Sequence, residues 1–175
     1  MLFRSEKAYQ NVCLAARAKG FRVAVKAHPM QELHRVKEVF SKYCPDALFF
    51  QAEDLTDLGL ASDFAVIINF STAIPLVASA RIPLLVMVPD EMQEKLSKFY
   101  GINSIKNFEL SPLSASPAFY QELIDRFSQD LDWRKLRIEG QSAYGELHNG
   151  PIDGFSAKRF WQALQDFSSQ KGEVI

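Results

Sequence analysis

Residues 22–29 read RVAVKAHP. This stretch decides the fold class because it combines the pattern of a buried strand with two polar side chains at the carboxyl end of that strand. Its residues 23–25, Val-Ala-Val, form a short apolar run between two segments with helical periodicity. A run of this kind is typical of a buried strand in a parallel sheet. Open α/β sheets bind ligands at the carboxyl ends of their strands, so Lys26 and His28 are the first candidate site residues.

Helix and strand patterns alternate from residue 5 to about residue 100. The predicted strands of this part cover residues 22–27, 47–51, 64–69 and 84–88. The predicted helices cover residues 5–19, 31–43, 54–62, 72–80 and 89–100, with Ser5 and Asp54 as N-caps of the first and third. Alternation of helix and strand at a spacing of about 20 residues indicates right-handed βαβ units. We therefore predict one α/β domain over residues 1–175, a three-layer Rossmann-like fold with a mostly parallel sheet of four to six strands.

The pattern is weaker beyond residue 100 and unusual at the start of the chain. The predictions there are an edge strand at 105–110, a loop at 111–117, helices at 119–130 and 156–168, and a turn-rich loop at 148–154, while 133–144 is ambiguous. Doubly wound folds usually open with a strand, yet only residues 1–3 precede the first helix. Either a very short strand lies there, or the chain is the C-terminal part of a longer enzyme or a shortened product.

Composition narrows the class of protein. The chain has 175 residues, of which 47% are hydrophobic, and its net charge is −1, so we expect a packed core and no nucleic-acid partner. Cys13 and Cys44 both lie in helical patterns and form no disulfide framework, which favours the cytoplasm. No apolar run approaches the roughly 18 residues of a membrane span, which leaves peripheral membrane contact open.

Two strand ends carry residues suited to a phosphate. Lys26 supplies a positive charge and His28 an imidazole donor, although a solvated lysine beside a turn histidine is the plain alternative. Ser71 or Thr72 is predicted to be the N-cap of the helix after the third strand, where free N–H groups attract anions. The alternative for this pair is an ordinary cap without a ligand.

A third candidate group lies near the last helix. Gly154 allows a close backbone approach beside Asp153, Ser156 is predicted to cap the helix, and Arg159 follows one turn later. The alternative is a capped helix with a surface arginine. No glycine-rich phosphate loop occurs, and no histidine or carboxylate spacing matches a metal site, so we expect no metal and no other cofactor.

These short motifs together resemble the C-terminal, donor-binding domain of GT-B glycosyltransferases. The most similar members are CDP-glycerol glycerophosphotransferases, bacterial sialyltransferases and capsule-type transferases. The matching segments, in the family's order, are VKAHP at 25–29, ASD at 61–63, FST at 70–72, IPLLV at 82–86 and DGFSAKR at 153–159. They span roughly residues 5–168.

The resemblance implies a nucleotide-activated sugar or polyol as substrate and a role in surface polysaccharide biosynthesis. It implies that His28, Ser71 and Thr72 hold the nucleotide and its phosphate. Leu76 stands where the family usually has a carboxylate. The catalytic base and acceptor site belong to an N-terminal domain that this sequence does not contain, so a partner chain or a homo-oligomer is an expected partner. Two alternatives stay open: a non-catalytic nucleotide-binding or assembly module, and a domain like UDP-N-acetylglucosamine 2-epimerase.

Overall fold

The computed structural model describes residues 2–150 and 155–171 and shows a mixed α/β fold. The helices are α1 (Leu2–Ala18), α2 (Leu33–Ser41), α3 (Leu55–Leu60), α4 (Ala73–Ser79), α5 (Gln93–Phe99), α6 (Pro117–Gln129), α7 (Leu131–Asn149) and α8 (Ser156–Lys171). The strands are β1 (Ala24–Lys26), β2 (Leu48–Phe50), β3 (Ala65–Ile68), β4 (Leu84–Val88) and β5 (Leu110–Pro112). Short 3-10 turns occupy Asp90–Met92 and Ile102–Ser104. None of the helices in these described residues is long and apolar enough to cross a membrane.

The strands form two parallel sheets. One contains β1 and β2, and the other has the order β3–β4–β5. In the register, Ala24 lies opposite Leu48, and Ala65 lies opposite Leu84. The parallel direction agrees with the prediction, but a single sheet of four to six strands is not observed in the described part of the chain. The strands of the first sheet are only three residues long, so few ladder hydrogen bonds can extend it.

β4 is the centre of the larger sheet, and all five of its residues are buried. Leu84, Val86 and Val88 pack into one core cluster with residues of α4 and α7. Leu85 and Met87 face a second cluster built from α1 and α6. Because successive side chains of a strand alternate between faces, the larger sheet lies between two helical layers.

Two glycines let α7 approach its neighbours closely. A Cβ atom at Gly140 would lie 2.3 Å from the carbonyl oxygen of Lys106. A Cβ atom at Gly145 would lie 2.6 Å from the Ser79 hydroxyl oxygen and 3.2 Å from the Pro75 carbonyl oxygen. These distances are too short for any residue with a side chain, so both glycines are needed for the packing of α7.

Gln141, on the same helix, extends the hydrogen-bond ladder of β4. Its amide oxygen accepts from the N–H of Leu84 at 3.1 Å, and its amide nitrogen donates to the Leu84 carbonyl at 2.6 Å. The first ladder partner on β5 is Leu110, which lies opposite Val86, so β5 begins too late to reach Leu84. The buried Gln141 side chain therefore takes the place of a missing strand residue.

Several predicted boundaries are wrong, and local backbone geometry explains two of them. Leu2 and Phe3 are already helical, so no strand lies there and Ser5 is inside α1 rather than at its N-cap. Asn69 has a φ of 70°, which ends β3 one residue before the predicted limit. Asn107 has a φ of 63°, which is incompatible with the strand predicted at 105–110.

Other predictions were displaced along the chain. β5 begins at the last residue of the predicted edge strand and continues into the segment predicted as a loop. α7 covers all of the ambiguous segment and continues through His148 and Asn149. The Asp54 N-cap is confirmed, because its carboxylate accepts from the N–H groups of Thr56 at 2.7 Å and Asp57 at 3.4 Å.

Candidate functional site

Lys26 ends β1, and its charge is directed toward the end of β2. The Lys26 ammonium donates a hydrogen bond to the backbone carbonyl of Gln51. The Gln51 side-chain amide donates to the carbonyl of Gln31 at 2.7 Å and to that of His28 at 3.3 Å. Gln51 therefore ties the turn after β1 to the end of β2, and Lys26 takes part in the same network.

His28 is exposed, and its ring accepts a hydrogen bond inside its own turn. The backbone N–H of Met30 donates to the His28 Nδ1 at 3.1 Å, and the backbone N–H of His28 donates to the Gln31 Oε1 at 2.9 Å. Because Nδ1 acts as an acceptor, the hydrogen-bonding pattern assigns the proton of the neutral ring to Nε2. His28 thus steadies the turn with one nitrogen and keeps an N–H donor on the other.

Ser71 and Thr72 follow β3 in a turn that Asn69 creates. Asn69 adopts a left-handed φ of 70°, and its N–H donates to the Met87 carbonyl at 2.7 Å. The Ser71 hydroxyl oxygen accepts from the N–H of Ala73, the first residue of α4, at 3.2 Å. Thr72 is exposed and its side chain makes no capping hydrogen bond. Of the two predicted capping residues, Ser71 is therefore the one that binds the helix start.

An aromatic stack between Phe70 and Tyr100 supports this turn. The Phe70 ring lies 3.9 Å from the Tyr100 ring, and the two planes differ by 19°. The Tyr100 carbonyl oxygen lies 3.3 Å from Nε2 of His148, in the last turn of α7. Phe70, which precedes Ser71, is thus packed on Tyr100 at the end of α5, and Tyr100 in turn lies beside the end of α7.

Only part of the third predicted group is described. Asp153 lies outside the described residues. Ser156 begins α8, at the predicted start of the last helix, and Arg159 is exposed. The N–H of Arg159 donates to the Phe155 carbonyl at 3.0 Å, which forms the first helical turn. The participation of this group in the candidate site stays a prediction.

Three polar strand-end residues escaped the sequence analysis: Gln51, Asp90 and Ser114. Asp90, after β4, accepts a hydrogen bond from the backbone N–H of Ser114 at 3.3 Å and another from the Ser114 hydroxyl, after β5. The sequence pattern makes Gln51 the last residue of a predicted strand and places Ser114 in a loop, and neither is among the predicted site residues. Each of the three lies within two residues of an observed strand end, where the strand-end rule would have found it.

Two carboxylates follow β2 close to Lys26. The backbone N–H groups of Glu53 itself and of Gln51 hold the pKa of the Glu53 carboxyl below its usual range, and the Lys26 charge makes a smaller contribution. The N–H groups of Thr56 and Asp57 lower the pKa of Asp54 in the same way. Both groups are anionic at neutral pH, so the end of β2 is unfavourable for a phosphate.

A shallow surface depression of about 580 Å³ lies elsewhere, where α6 meets α7. It is lined by Asp125, Arg126, Gln129, Asp130, Leu131 and Asp132. Three carboxylates against one guanidinium make it a poor site for an anion. Within residues 2–150 and 155–171, no group of three or more His, Cys, Asp or Glu residues is arranged to hold a metal ion.

Comparison of the chain with protein-family models, with curated proteins and with solved structures finds no match. The resemblance to GT-B donor domains therefore depends on the sequence motifs alone. The strand-end geometry is independent of that resemblance.

Proposed function

We propose that this chain is the nucleotide-donor-binding half of a glycosyl- or glycerophospho-transferase of surface polysaccharide biosynthesis. Its substrate is a nucleotide-activated sugar or polyol, whose phosphates bind at the carboxyl ends of β1 and β3. Transfer to an acceptor also needs a second domain that supplies the acceptor site and the catalytic base. That domain belongs to a longer protein or to a partner chain.

The observation that carries the proposal is the state of the His28 ring. Nδ1 is held by the N–H of Met30, so the ring has a fixed orientation and its N–H group is on Nε2. An N–H donor that is already oriented loses little entropy when it binds a phosphate oxygen, and the bond is charge-assisted. Thr72 adds a hydroxyl that is exposed and makes no capping bond.

The proposal also needs the ends of β1 and β3 to be neighbours. We take the two sheets to lie side by side in the order β2–β1–β3–β4–β5, with one switch point between β1 and β3. Val23 supports this order, because it packs against both the β1 core cluster and the cluster beside β3 and β4. In open α/β sheets such a switch point is where ligands bind.

Titration of the isotope-labelled chain with CMP, CDP, UDP and GDP tests the proposal by NMR. We expect at least one nucleotide to shift the amide signals of His28, Ser71 and Thr72 and to raise the melting temperature. The matching nucleoside, which lacks phosphate, is the control and should shift these signals far less. Shifts confined to residues 125–132 would move the site, and no shift with any nucleotide would leave a non-catalytic assembly module as the better function.

A further inference from the structure

Cys13 and Cys44 are the two cysteines of the chain, and both are free and buried. Cys13 lies within α1 and Cys44 follows α2, and the exposed fractions of the two residues are 1% and 0%. Each thiol is among the groups that act on the pKa of the other, so the two side chains are neighbours. Two residues that lie about 30 positions apart in the chain thus share one buried contact.

Polar contacts hold α1 against the end of α2 on both sides of this contact. The Arg17 guanidinium donates to the Tyr43 carbonyl at 3.0 Å and lies 3.8 Å from the Asp46 carboxylate. On the other side, the Tyr43 hydroxyl and the Lys42 ammonium reach the Glu6 carboxylate at 3.3 and 3.4 Å. The two sulfur atoms are therefore kept adjacent by the fold and do not depend on each other for their position.

We propose that Cys13 and Cys44 are a reversible modification site. A low-molecular-weight disulfide such as glutathione disulfide oxidises the two thiols, and an intrachain disulfide forms between them. Cys44 acts first, since it lies between the exposed Lys42 and the exposed Pro45 in the chain. The site lies outside the predicted nucleotide-binding residues and does not rest on the proposed function.

The reaction balances in two exchange steps. The Cys44 thiolate attacks one sulfur of glutathione disulfide, which forms a mixed disulfide and releases the first glutathione thiolate. The Cys13 thiolate then attacks the sulfur of Cys44, which forms the Cys13–Cys44 bond and releases the second glutathione thiolate. The two protein thiols lose their protons to solvent and are oxidised, while one glutathione disulfide is reduced to two glutathione molecules.

The environment predicts a slow reaction. Burial is the main reason that the pKa of both thiols is raised, while the Arg17 charge acts in the opposite direction on each. Only the thiolate attacks, so closure requires a transient opening of the loop after α2. Such a pair stays reduced during brief exposure to oxidant and closes during sustained exposure.

Treatment of the complete folded chain with glutathione disulfide tests this inference. We expect both free thiols to disappear, the mass to fall by two hydrogen atoms, and peptide mapping to recover Cys13 joined to Cys44. The melting temperature should rise by roughly 5 °C or more, because the closed loop limits the unfolded chain. Dithiothreitol should reverse every change.

The variants Cys13→Ala and Cys44→Ala are matched controls, each with one remaining thiol. Each should take up at most one glutathione and should show no rise in melting temperature. Wild-type protein that gains two glutathione groups without a crosslink would overturn the inference. So would a disulfide between two chains, or native thiols that stay reduced under conditions in which the guanidinium-unfolded chain becomes crosslinked.

Discussion

The two sheets of this protein are stabilised by different means. The β3–β4–β5 sheet is covered by helices on both faces. Two glycines let α7 pack closely on α4 and on the loop before β5, and a buried amide of α7 pairs with β4. The β1–β2 sheet has two strands of three residues, and the Gln51 side chain holds the turn that follows it. The comparison indicates that the larger sheet provides most of the global stability, while the smaller one depends on side-chain hydrogen bonds in the turn beside His28.

Gly140→Ala should have the largest effect of the substitutions that test this contrast. The new Cβ would lie 2.3 Å from the backbone carbonyl of Lys106, which cannot move away without shifting α7. We expect a loss of about 3 kcal/mol or more in the free energy of unfolding, measured by urea denaturation.

Gly20→Ala, just before β1, is the matched control for Gly140→Ala. Gly20 has a φ of 78°, but no described atom beyond its chain neighbours lies within 4 Å of the position that an alanine Cβ would take, so only backbone strain opposes the change. We expect a cost of about 1–2 kcal/mol. Equal losses for the two variants would contradict the view that α7 is packed at the limit of close approach.

Gln141→Leu is expected to have the second largest effect. It keeps the volume of the side chain but leaves the N–H and carbonyl groups of Leu84 unpaired in the core. A loss of about 2–3 kcal/mol should follow, together with faster hydrogen exchange along β4. Gln129→Leu, at an exposed position of α6, should change stability by no more than about 0.5 kcal/mol.

His28→Ala separates binding from stability in the smaller sheet. Loss of a charge-assisted contact of about 1.5–3 kcal/mol would lower nucleotide affinity roughly tenfold to hundredfold, with little change in melting temperature. His34→Ala, on the exposed side of α2, should leave both quantities unchanged. A lower melting temperature with unchanged affinity would contradict the binding role. His28 would then be a structural turn residue that acts through the hydrogen bond between its Nδ1 and the N–H of Met30.

Gln51→Ala should loosen one turn without affecting the other. It removes the amide that donates to the carbonyls of Gln31 and His28, so the turn after β1 should exchange its amide hydrogens faster. The expected cost is about 1 kcal/mol. The turn at Asn69 is held by its own backbone bond and by Phe70, and its exchange rates should not change. Faster exchange in both turns would show that the two sheets open together.

Tyr144→Phe should have the smallest effect on stability, and at high pH the variant should be more stable relative to the wild type than it is at pH 7. The buried Tyr144 hydroxyl has no hydrogen-bond partner among the described residues, so its removal should change stability at pH 7 by less than about 1 kcal/mol. Burial, with a lesser effect of Tyr100, raises the pKa of Tyr144 to about 12. Because an unfolded tyrosine ionises near a pKa of about 10, wild-type stability should fall as the pH rises from about 10 toward 12.

The pH series of Tyr144→Phe should show a smaller fall than the wild type over this range. Tyr120→Phe is the comparison, since burial also raises the pKa of Tyr120 to about 12. The Tyr120 hydroxyl donates to the Pro112 carbonyl at 3.3 Å, so this variant should also lose about 0.5–1.5 kcal/mol at pH 7. A comparable loss for Tyr144→Phe would indicate that its hydroxyl is bonded in solution.

Local patterns predicted β4 and the Asp54 cap, because an apolar run and a capping carboxylate depend on nearby residues only. The same approach located Lys26 and His28 at the end of β1. It could not predict how Gln51 or Gln141 act, since their partners lie 20 and 57 positions away. For the same reason the pattern misplaced β5, whose position depends on its pairing with β4.

The bond between Gln141 and Leu84 has a consequence for synthesis of the chain. A growing polypeptide has already made all of β1 to β5 when residue 112 emerges, yet the ladder position beside Leu84 is still empty. It is filled only after α7 has left the ribosome, so until then a buried strand keeps an unpaired N–H and carbonyl. A contact between such distant parts of the sequence also slows folding, because a long loop must close first. The nascent chain is therefore expected to need protection from aggregation until α7 has been translated.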